Sequence, residues 1–234
     1  MISFIIPAHN EEAWIARSVA AVHAAMASLG DDYELIVVDD ACDDATAELA
    51  ADHGAKVIRV NARHISAARN AGARAARGDF YIFVDADTLV SEAIVAAARD
   101  AMRQGAAGGG CVPRFDGRLP WWSHFIYPPF ALAGRLLRLT GGACQFCRRD
   151  VFEAVGGFSE SHFAAEDLVF ARAIKRHGPY VVPRATVLTS GRNLRAHSPR
   201  ALLPLLLRLV VRGPNAFLKR EGLEIWYEPR REET

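Results

Sequence analysis

Apolar positions in the first ninety residues follow two alternating rhythms. Short continuous runs at Ile2–Ile6, Glu34–Val38, Lys56–Val60 and Phe80–Val84 read as strands, and the aromatic and β-branched run of the last marks burial on both faces. Between the first two, Ile15, Val19, Val22, Met26 and Leu29 recur at four- and three-residue spacing, which is one helical face ended by Gly30. Asn10 stands where a cap would, with Glu11 and Glu12 in the first turn. Ala45–His53 and Ile65–Arg77 read as two more helices. Strand and helix alternate through short loops, which predicts an α/β fold with a parallel, doubly wound sheet and crossover helices.

After Thr88 the alternation stops. The pattern predicts a helix over Ser91–Gln104, an extended run from Gly108 to Phe115, and an aromatic, proline-interrupted segment over 119–139. A strand follows at Gly141–Phe146, then a short helix capped by Asp150 and ended by Gly156-Gly157. A helix over Leu168–His177 and a last strand over Tyr180–Leu188 precede an Arg-rich tail. One domain spans 1–234, in three parts at 1–90, 91–190 and 191–234.

Carboxylates collect where strands end. Phe80–Val84 runs into Asp85-Ala86-Asp87, and Glu34–Val38 runs into Asp39-Asp40. In an extended chain Asp85 and Asp87 share a face. Two like charges at the mouth of a buried sheet call for a cation or strong donors between them. All-oxygen ligands suit Mg²⁺ or Mn²⁺, held by one or two carboxylates plus substrate phosphates. The alternative is a solvated loop whose spare acid caps the next helix. Because ligands of such sheets bind beyond the carboxyl ends of the strands, Pro7–Glu11, Asp39-Asp40 and Asp85–Asp87 define one candidate pocket. A third doublet, Glu166-Asp167, opens a helix. It either serves the helix dipole or, facing the same cleft, supplies a general base.

Arg69 lies on the apolar and small-residue stripe Ile65, Arg69, Gly72, Ala76, so it must snorkel to solvent or find an anion. The expected partners are a nucleotide phosphate or a strand-end carboxylate. No Gly-rich dinucleotide or phosphate loop follows the first strand.

Composition narrows the partners. The 234 residues carry a formal net charge of +1, which gives no case for nucleic acid. The start reads as a strand, not a leader, so reduced thiols and a cytoplasmic setting are expected; Cys144-x-x-Cys147 lacks a second pair and reads as core filler. No stretch is long and apolar enough to span a bilayer. Trp121–Leu139 and Leu202–Val211 either pack on the sheet or lie at a membrane interface, which would make the protein peripheral at the inner face.

Taken in order, these segments resemble the family 2 glycosyltransferases of GT-A fold, over about residues 1–190. The carriers are Ser3–Glu12, Glu34–Asp40, Ala68-Arg69-Asn70-Ala71-Gly72 with Gly78-Asp79, Asp85-Ala86-Asp87, Gly142–Arg149 with Phe152, Gly156-Gly157-Phe158 and Glu160, and Glu166-Asp167. The resemblance implies a GT-A, Rossmann-like, mostly parallel sheet with an acceptor-side C-terminal part, so that 1–90 would be a nucleotide-binding half, 91–190 an acceptor and catalytic half and 191–234 a C-terminal tail. It implies an inverting, metal-dependent transfer from a nucleotide-diphosphate sugar, UDP-sugar favoured, to a saccharide or lipid-linked acceptor. Pro7, Ala8, His9, Asn10, Glu11, Asp39, Arg69, Asp85, Ala86 and Asp87 would bind the donor. Asp87 helped by Asp85 would hold Mg²⁺ or Mn²⁺, and Asp167 beside Glu166 would be the base. An ordinary Asp is already ionised at neutral pH, so this base needs no tuning. Gly142, Ala143, Trp121 and Trp122 would lie on the acceptor side. His197 is a candidate third metal ligand, with Arg192 or Arg195 as diphosphate clamps.

The Gln-x-x-Arg-Trp motif of processive synthases is absent, so transfer of one sugar is expected. A sugar-nucleotide nucleotidyltransferase, or a module that only binds nucleotide sugars, are the alternatives.

Overall fold

The structure is a computed structural model that describes residues 1–223; the last part of the expected tail, 224–234, lies outside the described residues. Strands β1 (Ile2–Ala8), β2 (Tyr33–Asp40), β3 (Lys56–Val60) and β4 (Phe80–Val84) pair in parallel in the order β3-β2-β1-β4. Helices α1 (Ile15–Leu29), α2 (Thr46–Asp52) and α3 (Ile65–Ala75) are the crossovers. Alternate residues of each strand feed two cores. Phe4, Ile6, Ile82 and Val84 join one with α1 and α4 (Glu92–Arg103), whereas Ile5, Tyr81 and Phe83 join the other with α3. β1, β2 and β4 are therefore buried on both faces, which is why they read as unbroken apolar runs, whereas the edge strand β3 leaves Lys56 and Arg59 exposed.

The sheet then changes direction. β8 (Cys144–Arg148) lies antiparallel to β4, and β6 (Gly108–Gly110) is antiparallel to β8 and parallel to β9 (Tyr180–Val181). Both expected halves thus share one seven-stranded sheet. Gly109 is needed there, because a Cβ would come within 2.1 Å of the Val181 carbonyl and 2.3 Å of the Phe146 ring. Cys144 and Cys147, three residues apart, enter opposite cores as packing residues.

Two expected strands are each divided. Gly108–Phe115 becomes β6 and β7 (Val112–Phe115), and Tyr180–Leu188 becomes β9 and β10 (Thr186–Thr189), in a second sheet ordered β5-β10-β7 with β5 (Thr88–Leu89). Pro183 interrupts the later run, since proline lacks the amide that a ladder needs. The aromatic segment contains α5 (Ser123–Leu137) with Pro128 and Pro129 inside it. Helix α6 (Arg149–Val155) starts without a side-chain cap, and Asp150 instead pairs with Arg148 at 2.7 Å. Helices α7 (Glu166–Ile174), α8 (Arg192–Ala196) and α9 (Pro199–Arg212) complete the secondary structure that bears on the site. Among the described residues no helix is long and apolar enough to cross a membrane.

Candidate active site

The parallel strands β1, β2 and β4 end along one edge of the sheet, and antiparallel β8 begins there. Asp85 follows β4 directly and its amide donates to the Ala143 carbonyl at 3.1 Å. The chain does not continue extended. Thr88 N–H donates back to the Asp85 carbonyl at 3.0 Å, and Ser18 Oγ donates to the Ala86 carbonyl at 2.6 Å, which ties this turn to α1. The expectation that Asp85 and Asp87 share a strand face is therefore corrected. A turn separates them, and a different arginine holds each.

Arg69 is 1% exposed and bonds both ends of the site. Nη2 donates to Asp85 Oδ1 at 2.7 Å and to the Gly142 carbonyl at 3.3 Å, and Nη1 donates to Glu166 Oε1 at 2.9 Å. Its guanidinium carbon lies 5.0 Å from the centroid of the Phe158 ring. The anions that this apolar-face arginine required are the protein's own carboxylates. A Cβ at Gly142 would stand 3.0 Å from Arg69 Nη2, so glycine leaves the room for this reach.

Glu166 is spent on Arg69 and not on capping α7. Asp167 Oδ1 accepts from the Leu168 amide at 2.8 Å, and Oδ2 would lie 3.5 Å from a Cβ on either Gly141 or Gly142. Burial first, and then the charge of Glu166, push the Asp167 carboxyl up to about 7 against the pull of Arg69. The expectation of an untuned base is corrected by that environment.

Beyond the turn after β4, Arg192 Nη2 bonds Glu11 Oε1 and lies 3.3 Å from Asp87 Oδ2, while Thr189 Oγ1 donates to Asp87 Oδ1 at 3.3 Å. Burial pushes Asp87 up to about 7; Arg192 opposes the shift, and Asp85 and Glu11 add to it. Asp85, also raised chiefly by burial, acts on both Asp87 and Asp167 and so joins the two ends.

The remaining strand ends serve the loops. His9 Nδ1 meets the Asp40 carbonyl at 2.8 Å. Asn10 is left-handed (φ 55°) and its side-chain oxygen accepts from the Asp43 amide at 2.9 Å. It therefore does not cap α1, which begins five residues later after Trp14. Asp39 accepts from the Cys42 amide at 2.9 Å and lies 3.4 Å from Arg59. Asp40 accepts from the amides of Ala62, Arg63 and His64. Pro7 and Ala8 are the last residues of β1. Two of the three acidic doublets thus meet, and Glu11 takes the place of the third.

The donor set fits a cation shared with a diphosphate. Among the described residues, Glu11 Oε2 is buried without a hydrogen-bond partner, and three carboxylates crowd one another, a deficit of positive charge. No three His, Cys, Asp or Glu among the described residues are grouped to hold a metal alone, and His197 is buried at the end of α8. Mg²⁺ ordinarily takes only one or two carboxylates beside substrate phosphates. Arg195 Nη1 is engaged by Asp116 at 3.2 Å. Of the tryptophans, Trp122 is buried and Trp121 is exposed.

Two residues that hold the site escaped the sequence reading. Gln145 Nε2 donates to the Asp167 carbonyl at 3.1 Å, and Thr189 holds Asp87. A glutamine inside an apolar strand run was the one available signal for the first; nothing local marked the second.

An α/β sheet with acids gathered at its carboxyl edge and bridged by a buried arginine describes a glycosyltransferase of GT-A fold. The model of the glycosyl transferase family 2 matches residues 3–156, and the chain belongs to that family. It is 34% identical over 99 residues to an uncharacterised glycosyltransferase, EpsJ, of Bacillus subtilis (40% of this chain, 28% of that protein). It is 38% identical over 96 residues to an undecaprenyl-phosphate 4-deoxy-4-formamido-L-arabinose transferase of Aeromonas hydrophila (37% of this chain, 29% of that one). The matches span less than a third of either relative's length. Among solved structures, the chain resembles a Pyrobaculum calidifontis mannosyltransferase in complex with GDP-Man and Mn²⁺ (TM-score 0.64, 18% identity, 96% and 71% of the two chains). It also resembles the Mycobacterium tuberculosis glucosyl-3-phosphoglycerate synthase with Mn²⁺, UDP and phosphoglyceric acid (TM-score 0.61, 20% identity, 90% and 76%).

Proposed function

We propose that this glycosyltransferase moves a single sugar from a nucleotide-diphosphate sugar, UDP-linked in the favoured case, to an acceptor hydroxyl with inversion. One observation carries the reading: the buried Arg69 joins Asp85 on the donor side to Glu166 on the acceptor side, so Asp167 stands in the field of the donor-side acids. Pro7–Glu11 and Asp39 line the nucleotide end. Arg192 exchanges Glu11 and Asp87 for donor phosphates. Asp87 and Asp85 would hold Mg²⁺ or Mn²⁺, which would supply Lewis acidity for departure of the nucleoside diphosphate. Asp167 takes the acceptor proton as the hydroxyl attacks; with its carboxyl near 7, it is ionised in half or more of the molecules at and above neutral pH. Complexes of neighbouring folds with UDP or GDP-Man and Mn²⁺ support the donor class, and a relative named for undecaprenyl phosphate supports a lipid-linked acceptor at the inner face of a membrane.

A screen of UDP- and GDP-sugars, with Mn²⁺ and with chelator, tests the reading. Turnover should need the cation. Asp167→Asn should lower it by about 10²–10⁴-fold while nucleotide binding, measured by calorimetry, stays unchanged. Wild-type turnover in that variant would remove Asp167 from its role.

A further inference from the structure

Helix α5 is apolar on two faces. Ile126, Tyr127, Phe130, Ala131 and Gly134 line a cavity of about 240 Å³ whose other walls include Trp122, Leu194, Leu202 and Leu206. On the opposite stripe Phe125, Pro129, Leu132 and Leu136, spaced by four, three and four residues, face outward over roughly 16 Å. Phe125 and Leu136 are each 74% exposed, and Trp121 before them is 75% exposed. Helix α9 repeats the arrangement, with Leu202 and Leu206 inside and Leu207, Val210 and Val211 outside. A helix with an apolar stripe on each of two faces belongs against an apolar phase on both sides, and the described fold supplies only one.

The charges say which phase. From residue 168 to residue 220 there are eleven Lys and Arg and no Asp or Glu, and from 117 to 149 there is again no Asp or Glu, in a chain whose net charge is only +1. Arg138, Arg200 and Arg212 are exposed beside the apolar stripes, and Arg200 stands seven residues before Leu207, on the same face of α9. Aromatic and aliphatic side chains set among exposed arginines are complementary to an anionic bilayer surface. The cavity behind that face also reaches the chemistry, because Gly141 is one of its walls and lies against Asp167.

We infer that the α5–α9 face rests on an anionic phospholipid bilayer and that the cavity receives the hydrocarbon chain of a lipid acceptor, bringing its head group to Asp167. The acceptor half of this statement rests on the activity proposed above.

Sedimentation with phosphatidylcholine vesicles, with and without phosphatidylglycerol, tests the docking. The protein should pellet with the anionic vesicles, less so at high salt. The triple variant Phe125→Glu, Leu136→Glu, Val210→Glu, altered only at exposed positions, should lose at least about tenfold in affinity. For the cavity, vesicles with brominated acyl chains should quench tryptophan fluorescence. That quenching should fall in Trp122→Phe, and also in Ala131→Phe, which fills the cavity and should leave pelleting unchanged. Equal pelleting with both vesicle types, or wild-type pelleting by the triple variant, overturns the docking. So does a dimer in solution that the triple variant dissolves, since a second copy would then cover the face. Quenching unaffected by Ala131→Phe overturns the cavity assignment. Calorimetry with UDP and Mn²⁺ on the same proteins separates the two proposals. Lost docking with intact nucleotide binding defeats this inference alone, and absent nucleotide binding with intact docking defeats the transferase mechanism alone.

Discussion

Arg69 and Asp85 meet at 2.7 Å, with the guanidinium 1% exposed, and the same guanidinium holds Glu166. Two ion pairs thereby join the turn after β4 to the start of α7. Removing one partner of a buried pair leaves uncompensated charge, at a cost of about 3–5 kcal/mol. Arg69→Met should lower unfolding stability by that order in urea titration. It should also move the acidic limb of the activity profile to higher pH, because Arg69 lowers the Asp167 carboxyl. An unchanged urea midpoint would show that the bridge does not hold the two elements together.

The pH dependence follows from two carboxyls that lie near 7 in the folded chain and near 3.8 in ordinary surroundings. Between those values the native state binds more protons than the unfolded state, so this contribution to stability is full below about pH 4 and is lost as pH rises through 7. In the proposed mechanism activity needs ionised Asp167, so it should rise over the upper part of the same window. Thermal unfolding and kcat/KM measured across pH 4–8 should therefore move in opposite directions near neutrality. Parallel curves would exclude these two groups as the source.

Asp87→Asn removes a carboxylate that Asp85 and Glu11 repel. The ligand-free variant should be at least as stable as wild type above pH 7, whereas UDP binding in Mn²⁺ should weaken about tenfold or more. Calorimetry and a melting curve on one preparation check both halves. UDP affinity that ignores the substitution would take Asp87 out of the cation site.

Gly72 lets α3 sit close on the sheet. A Cβ there would stand 2.4 Å from Ile5 Cγ2 and 2.9 Å from Val38 Cγ2. Gly72→Ala should cost about 1–3 kcal/mol by overpacking. Because α3 carries Arg69, it should also depress turnover more than it affects nucleotide affinity. A variant as stable as wild type would mean that the helix can retreat without loss.

The parallel half was legible because strands buried on both faces announce themselves as apolar runs and their crossover helices as heptad-like spacing. The antiparallel half was less so. Tyr180–Leu188 and Gly108–Phe115 each read as one extended piece, yet each serves two sheets, and local pattern does not encode which neighbour a strand chooses. The need of Arg69 for an anion was legible from its apolar stripe, and its carboxylate partner was one of the expected ones. The second carboxylate, Glu166, lies 97 residues away, and only the fold brings it near. Asn10 shows the reverse error. A good capping residue was present, but its side-chain oxygen accepts from the Asp43 amide instead.

The excursion that carries α5 leaves the main sheet at Cys111 and returns at Cys144, where the Cys111 amide donates to the Cys144 carbonyl at 2.9 Å and the two sulfurs lie 3.4 Å apart. Its ends are clasped side by side at β6 and β8, and β8 in turn borders β4, which leads into Asp85. Such an insert is a cassette: transplanting residues 112–140 between relatives, with Gly141, Gly142 and Ala143 kept against Asp167, Arg69 and Asp85, should exchange the α5 surface and leave the Arg69–Asp85 pair in place.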